Sequence, residues 1–125
     1  MLPFRVQFKT GTHTYDQVVY AVKKAIITGA LKPGDKFPSV RTLSQELRIN
    51  PNTAQKVIAA LAEEKLLVVT TGIGTVIAEA RPPTKEQLSL LLGDEVERVV
   101  VEARKLHLDC EDLLQSIRKH WNRLS

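Results

Sequence analysis

Asn52, Thr53, Gln55 and Lys56 stand within five residues of one another in the stretch "RINPNTAQKVIAAL", residues 48–61. Amide, hydroxyl and ammonium side chains of these types hydrogen-bond base edges and phosphate oxygens. Between them run Ala54, Val57, Ile58 and Leu61, at i, i+3, i+4 and i+7. That is the period of a helix with one buried face. At 100° per residue, Asn52, Lys56, Ala59 and Glu63 fall opposite the apolar stripe, and Thr53 and Gln55 on its flanks. The chemistry offered is therefore recognition by hydrogen bonds along the leading two turns of a helix. The acidic Glu63 and Glu64 are kept at the far end, and the small Ala59 and Ala60 permit close approach to a partner. Catalysis finds no comparable constellation. Cys110 falls on an apolar helix face and reads as a core thiol. His13, His107 and His120 are scattered without metal-ligand spacing. The chain is expected to be neither an enzyme nor a holder of metal or cofactor.

A helix that reads something must be started and aimed. Asn50 is a strong N-cap, and Pro51 suits the first helical position because its missing N–H would have no partner there. The helix expected over 51–64 thus begins with free N–H groups and a positive dipole end, which favour a phosphate. Upstream, Ser39 caps a helix of about two turns whose buried stripe is Val40, Leu43 and Leu47. Arg41 lies in its first turn, placed to meet a sugar-phosphate backbone. Only Arg48-Ile49-Asn50 connects the two helices. A first helix begins at Tyr15, with Val18, Val22, Ala25 and Ile26 on one face, and Gly29 stops it; Lys32-Pro33-Gly34-Asp35 then reads as a loop. Phe4, Val6 and Phe8 alternate with polar residues, so 4–8 reads as a short extended arm. After Lys65 the period changes to β: Leu66–Thr70 and Thr75–Ala78 form a hairpin about Thr71-Gly72-Ile73-Gly74. Thr71 offers a hydroxyl, and Gly72 and Gly74 allow positive φ and close backbone approach. Gly-x-Gly with no following helix is not a dinucleotide loop.

Three helices, the second short and tightly joined to the third, followed by a hairpin: this is the order of a winged helix-turn-helix. Its third helix enters the major groove, and its wing, here 67–78, reaches the backbone or minor groove. The fold class expected is mainly α with a small β-hairpin, in two domains: a DNA-binding domain over 1–80 and a two-helix dimerisation region over 81–125, divided at Arg81-Pro82-Pro83. The charge follows the same division. The net charge is +4, with 10 Lys and Arg against 6 Asp and Glu in residues 1–80 and 8 against 8 in 81–125. The excess that would attract a polyanion lies entirely in the front.

In the rear, Thr84 caps a helix whose stripe is Leu88, Leu92, Val96, Val99, Ala103 and Leu106, with Val100 beside it. Gly93 is a point where this helix would kink or split, Asp94 and Glu97 recapping the second piece. Asp109 caps a last helix with Cys110, Leu114, Ile117 and Trp121 on one face. Such stripes on residues 84–125, a stretch of 42 residues, are too small to form a core alone, so a second copy is expected to cover them. Leu88, Leu92, Val96, Val99, Val100 and Ala103 then lie near the two-fold axis, with Leu114, Ile117 and Trp121 packed around it. The alternative cover is the first domain of the same chain. A dimer would set two third helices about 34 Å apart, one turn of DNA.

Residues 15–78 resemble the DNA-binding domain of GntR-family bacterial transcription regulators. The likeness is carried by "AIITGALKPGDKFPSVRTLSQEL", "NPNTAQKVIAALAEEKLL" and "TTGIGTVI". The short helical tail and Asn-Pro-Asn-Thr are similar to the YtrA subfamily, in which a two-helix region replaces a large effector domain. The resemblance implies a homodimeric repressor at a palindromic operator. It also implies that Arg41 is the DNA-contacting arginine of the second helix, that Thr53, Gln55 and Lys56 hold the recognition positions, and that Gly72 and Gly74 form the wing tip. The chain departs from the family where arginine is frequent and it has Pro51, Gln55 and Thr70-Thr71, and where glycine is frequent and it has Arg48, which asks for a left-handed backbone there.

The partners expected are double-stranded operator DNA, contacted through Ser39, Arg41, Asn50, Asn52, Thr53, Gln55, Lys56, Thr71, Gly72 and Gly74, and a second copy of the chain. A small-molecule effector is a further partner, with any pocket for it expected between tail and first domain. No apolar run is long enough for a membrane span, no signal peptide is evident, and the single cysteine suits a cytoplasmic location. The competing reading is a winged-helix module that binds protein and not DNA.

Overall fold

The computed structural model describes residues 2–125, which divide into two compact units, 2–80 and 81–125. In the first unit, α1 (Thr14–Thr28), α2 (Val40–Leu47) and α3 (Pro51–Glu63) precede an antiparallel hairpin of β1 (Leu67–Thr70) and β2 (Gly74–Ile77). The pairing runs from Leu67 opposite Ile77 to Thr70 opposite Gly74. This is the winged helix-turn-helix that the sequence implies. Its core is drawn from every element. Val18 and Val22 of α1, Leu43 of α2, and Ala54, Val57 and Leu61 of α3 are fully buried, with Leu31, Leu67 and Ile77 closing the gaps. Deleting any one large member would remove its transfer energy and leave a cavity, at about 2–5 kcal/mol for Leu→Ala.

The helix ends explain why the elements stop where they do. Gly29 takes φ 84° and returns its N–H to the Ile26 carbonyl, ending α1. Ser39 Oγ accepts from the Thr42 N–H at 3.2 Å to begin α2. Asn50 Oδ1 accepts from the Asn52 N–H at 2.7 Å to begin α3, with Pro51 at the first position. Glu64, expected as the last residue of α3, is its C-cap, and Lys65 at φ 65° turns the chain out so that the Leu66 N–H reaches the Leu61 carbonyl at 2.9 Å.

Two segments are more structured than the sequence indicates. Phe4 is not part of a free arm: it is 7% exposed and stacks on Phe37 with ring centroids 5.8 Å apart. Val6 is half-buried and Phe8 exposed. The loop after Gly34 lies along β2 as a short third edge. Lys36 bridges Val76, the Phe37 N–H donates to the Thr75 carbonyl at 2.9 Å, and the Ile77 N–H donates to the Asp35 carbonyl at 2.8 Å.

In the second unit, α4 (Lys85–Leu88) runs into a π-helical segment (Ser89–Glu95) and then α5 (Val96–Lys105), followed by α6 (Cys110–Arg123). Thr84 and Gln87 form a reciprocal capping box at its start, at 2.9 and 3.1 Å. The chain stays helical through Gly93, so of the kink or split that this position allows, the split does not occur. Leu88, Ser89, Glu95 and Val96 all keep right-handed helical angles, and Glu95, not Asp94, precedes α5 without a side-chain cap. The chain accommodates the weak position by widening a turn, with the Val96 N–H reaching back to the Leu91 carbonyl five residues earlier. His107, at φ 59°, ends α5, and the Leu108 N–H closes on the Ala103 carbonyl at 3.0 Å. Ala103 is buried. Leu88, Leu92, Val96, Val99, Val100, Leu114, Ile117 and Trp121 are all exposed in the single chain. Cys110, expected as a core thiol, is exposed as well: as the first residue of α6 it stands at a helix start that nothing in the single chain buries. Among the described residues no helix is long and apolar enough to cross a membrane.

Candidate nucleic-acid interface

α3 is held from behind and open in front. Its inward residues Ala54, Val57 and Leu61 are completely buried, while Asn52, Gln55, Lys56 and Ala59 are exposed on the outward face. Thr53 is half-buried at the flank, so its hydroxyl reaches out from beside the core and not from the centre of the face. The leading turn is fixed by the Asn50 cap, which engages the Asn50 amide oxygen and leaves its NH2 group to donate outward.

The turn that sets α2 against α3 is built around Ser44. Ser44 is 9% exposed; its Oγ donates to the Ile49 carbonyl at 2.7 Å, and its own carbonyl accepts from the Ile49 N–H at 3.1 Å and from the Arg48 N–H. This requires Arg48 to sit at φ 54°, ψ 48°, the left-handed conformation that the glycine-to-arginine departure implies. With the turn closed, Arg41 is exposed in the first turn of α2. Ser39, beside it, has its hydroxyl engaged twice by Thr42: it accepts from the N–H and donates to Thr42 Oγ1 at 3.1 Å. These bonds cap the start of the helix that carries Arg41.

At the wing tip, Gly72 and Gly74 take φ of 81° and 103°, and the Ile73 N–H donates to the Thr70 carbonyl at 3.1 Å. A side chain at either glycine would be strained by the backbone alone, whatever the space around it. Thr71 is exposed. The hairpin from 66 to 78 carries no lysine or arginine, and its exposed side chains include Val69 and Ile73. The cation nearest in the sheet is Lys36, exposed on the edge segment opposite Val76.

Two positions were not singled out by residue pattern. Lys36 sits in Lys-Pro-Gly-Asp-Lys, which reads as plain loop; only the pairing with β2 brings it to the wing. His13, which reads as a scattered histidine, is the residue before α1 and lines a shallow cleft with Tyr15, Asp16, Lys56, Ala59, Ala60 and Glu63. The start of α1 therefore flanks the outward face of α3. Packing of α1 on α3 is reinforced by Lys23 Nζ and Glu64 Oε2 at 2.9 Å. A second cleft, of about 660 Å3, lies between the arm and α1. Its lining residues all belong to the first unit. Among the described residues no three potential metal ligands come together.

Residues 14–77 match the family model described as "Bacterial regulatory proteins, gntR family". The chain is 30% identical over 112 residues to the HTH-type transcriptional repressor YtrA of Bacillus subtilis strain 168, covering 89% of this chain and 86% of that protein. A Listeria monocytogenes EGD-e transcriptional antiterminator shares the fold with a TM-score of 0.87 at 21% identity, over 97% of this chain and 91% of that one. The AraR DNA-binding domain, solved in complex with operator ORX1, aligns with a TM-score of 0.50 and 28% identity over 59% of this chain and 95% of that one.

Proposed function

We propose, from the premise that this chain belongs to the GntR family of bacterial regulatory proteins and is a DNA-binding transcriptional regulator, that it acts as a homodimeric repressor on a palindromic operator in the cytoplasm. The observation that carries the reading is α3: capped by Asn50, locked into the core by Ala54, Val57 and Leu61, and presenting Asn52, Gln55 and Lys56 to solvent on one face. In this reading α3 enters the major groove by its N-terminal turns. Gln55 and Asn52 hydrogen-bond base edges, Gln being suited to the paired donor and acceptor of adenine. Lys56 and Arg41 neutralise phosphates, Thr53 contacts the backbone from the flank, and the free N–H groups beside Asn50 face a phosphate. Ser39 positions Arg41. Thr71 and the bare backbone at Gly72 and Gly74 approach the duplex at the wing, with Lys36 as the charge of that side.

Repression follows from occupancy: a dimer lying on two half-sites one turn apart excludes polymerase from an overlapping promoter. The name of the Bacillus relative as a repressor supports the sign. The exposed stripe from Leu88 to Val100 on α4, the π-helical segment and α5, with Leu114, Ile117 and Trp121 on α6, supports the dimer.

The test is binding of the full chain to DNA from upstream of its own gene, across a range of salt. Nanomolar binding is expected, with log K falling steeply against log salt; Lys56→Ala should weaken it and lower the slope by about 0.9, the value of one phosphate contact. Salt-independent or absent binding would favour the protein-binding module. An unchanged slope in both Lys56→Ala and Arg41→Ala would remove these residues from the interface.

A further inference from the structure

The arm and α1 enclose a cleft whose construction is not explained by DNA recognition. The arm is pinned at both ends. At one, Phe4 is buried against Phe37. At the other, the side chain of Gln17 holds the main chain: its Oε1 accepts from the Lys9 N–H at 2.7 Å, and its Nε2 donates to the carbonyls of Lys9 and Thr12, both at 3.0 Å. Between these two fixings lies the cleft of about 660 Å3, a size within the common range for small-molecule sites, about 300–1,000 Å3.

Its lining is graded along the helix. α1 supplies Asp16, Gln17, Tyr20, Ala21 and Lys24, at i, i+1, i+4, i+5 and i+8, and the arm supplies Arg5, Val6, Gln7 and Lys9. Asp16 and Lys24 are therefore separated by about 12 Å along the helix axis. At the Asp16 end the arm contributes Lys9, so residues of both signs line the wall there. At the Lys24 end stands Arg5, and these two cations also border a smaller cleft that continues past Leu2, Pro3 and Thr28, where no acidic residue lines the wall. Arg5, Lys9 and Lys24 are in no ion pair among the described residues. Tyr20, Val6 and Ala21 form the apolar middle. Two cations at one end of an apolar trough, with residues of both signs at the other, match an elongated molecule with one anionic head and an apolar body.

We propose that this cleft is a binding site for a small organic anion, an aryl or alkyl carboxylate or phosphate ester, with the anionic group held by Arg5 and Lys24 and the body lying over Ala21 and Tyr20. The inference does not depend on how the chain binds DNA, although Asp16 also lines the cleft beside Lys56.

Phenyl phosphate and benzoate are the probes, with benzyl alcohol as the neutral control, titrated into the 15N-labelled full chain and followed by amide and Gln17 side-chain NMR resonances. Saturable shifts centred on Arg5, Ala21 and Lys24 are expected for one or both anions and not for the alcohol. Preference for phenyl phosphate or for benzoate distinguishes a phosphate ester from a carboxylate. In the Arg5→Gln/Lys24→Gln variant, which alters exposed side chains only, affinity should fall about tenfold or more, the worth of charge-assisted hydrogen bonds. An unchanged circular dichroism spectrum confirms that this variant folds. Absence of saturable shifts, equal shifts with benzyl alcohol, or full affinity in the variant would overturn the proposal. So would loss of operator affinity in the variant together with no response of the parent chain to either anion, which would give these cations to the DNA backbone.

Discussion

Replacing Arg48 by glycine should stabilise the protein, although it removes a long side chain from the turn between α2 and α3. Arg48 is held at φ 54°, ψ 48°, and its N–H closes on the Ser44 carbonyl. A residue with a Cβ carries about 1–2 kcal/mol in that left-handed region, because the Cβ crowds the following carbonyl oxygen. Glycine relieves this strain but adds freedom to the unfolded chain, which costs about 0.4–1 kcal/mol. The difference is a net gain of about 0.5–1 kcal/mol, or about 2–8 °C in Tm for a domain of this size. Thermal unfolding of the full chain by circular dichroism, at one fixed protein concentration because dimerisation shifts Tm, is the assay. Arg48→Ala is the control: it removes the same guanidinium but keeps the Cβ, so it should melt no higher than the parent. If Arg48→Gly melts at or below Arg48→Ala, the left-handed conformation is not costly here. The strain argument then fails.

Three other substitutions probe the same machinery. Ser44→Ala deletes the 2.7 Å bond to the Ile49 carbonyl in a nearly dry position and should cost about 1–3 kcal/mol, read as a lower urea midpoint with the slope m unchanged. Asn50→Ala should cost about 1 kcal/mol by removing the α3 cap. Asn50→Asp keeps the cap and near-parental stability but sets a carboxylate where a phosphate is expected, so operator binding should weaken in a filter or fluorescence assay; equal binding by the aspartate would place the phosphate elsewhere. Leu92→Glu/Val99→Glu puts two charges on the exposed tail stripe and should convert a dimer into a monomer by light scattering after gel filtration. A monomeric parent at micromolar concentration would sink the dimer reading.

Much of the first unit was legible because each local signal agreed with the next. Asn50-Pro51 is a cap and a first helical residue, and it is found as both; the apolar set Ala54, Val57 and Leu61 has one period, and all three are buried. The first strand begins one residue later than expected, at Leu67, and the second runs from Gly74 to Ile77, one residue ahead of the expected Thr75–Ala78, although the Ala78 N–H still donates to the Leu66 carbonyl at 2.9 Å. The pairing of Lys36 with Val76 was not legible. An edge made by a Pro-Gly-Asp turn depends on where β2 lies in space, and neither propensity nor alternation carries that. Phe4 was hidden for the same reason: its alternation with Val6 and Phe8 suits an exposed arm and a buried one equally, and only the facing ring of Phe37 decides.

The tail shows a different limit of periodicity. An α-helical count from Val96 puts Leu92 four residues back, one turn beneath it, and so assigns Leu92 to the stripe and leaves Leu90 and Leu91 unassigned. The π-helical segment changes the count. With the Val96 N–H bonded to the Leu91 carbonyl, the residue five back is drawn beneath Val96, and a side chain shifted by one position turns by about 100° on the helix surface. Leu90, Leu91 and Leu92 are all exposed, so the run of three leucines keeps an apolar residue on the Val96 column under either count. A helix with such a run tolerates the extra residue without losing its face. This is why Gly93 can weaken the helix there while the stripe above it, Val96 through Ala103, continues unbroken into α5. The exposed stripe is thus wider at its α4 end than the sequence stripe of Leu88 and Leu92, and Leu91 joins them on the surface proposed for the second copy.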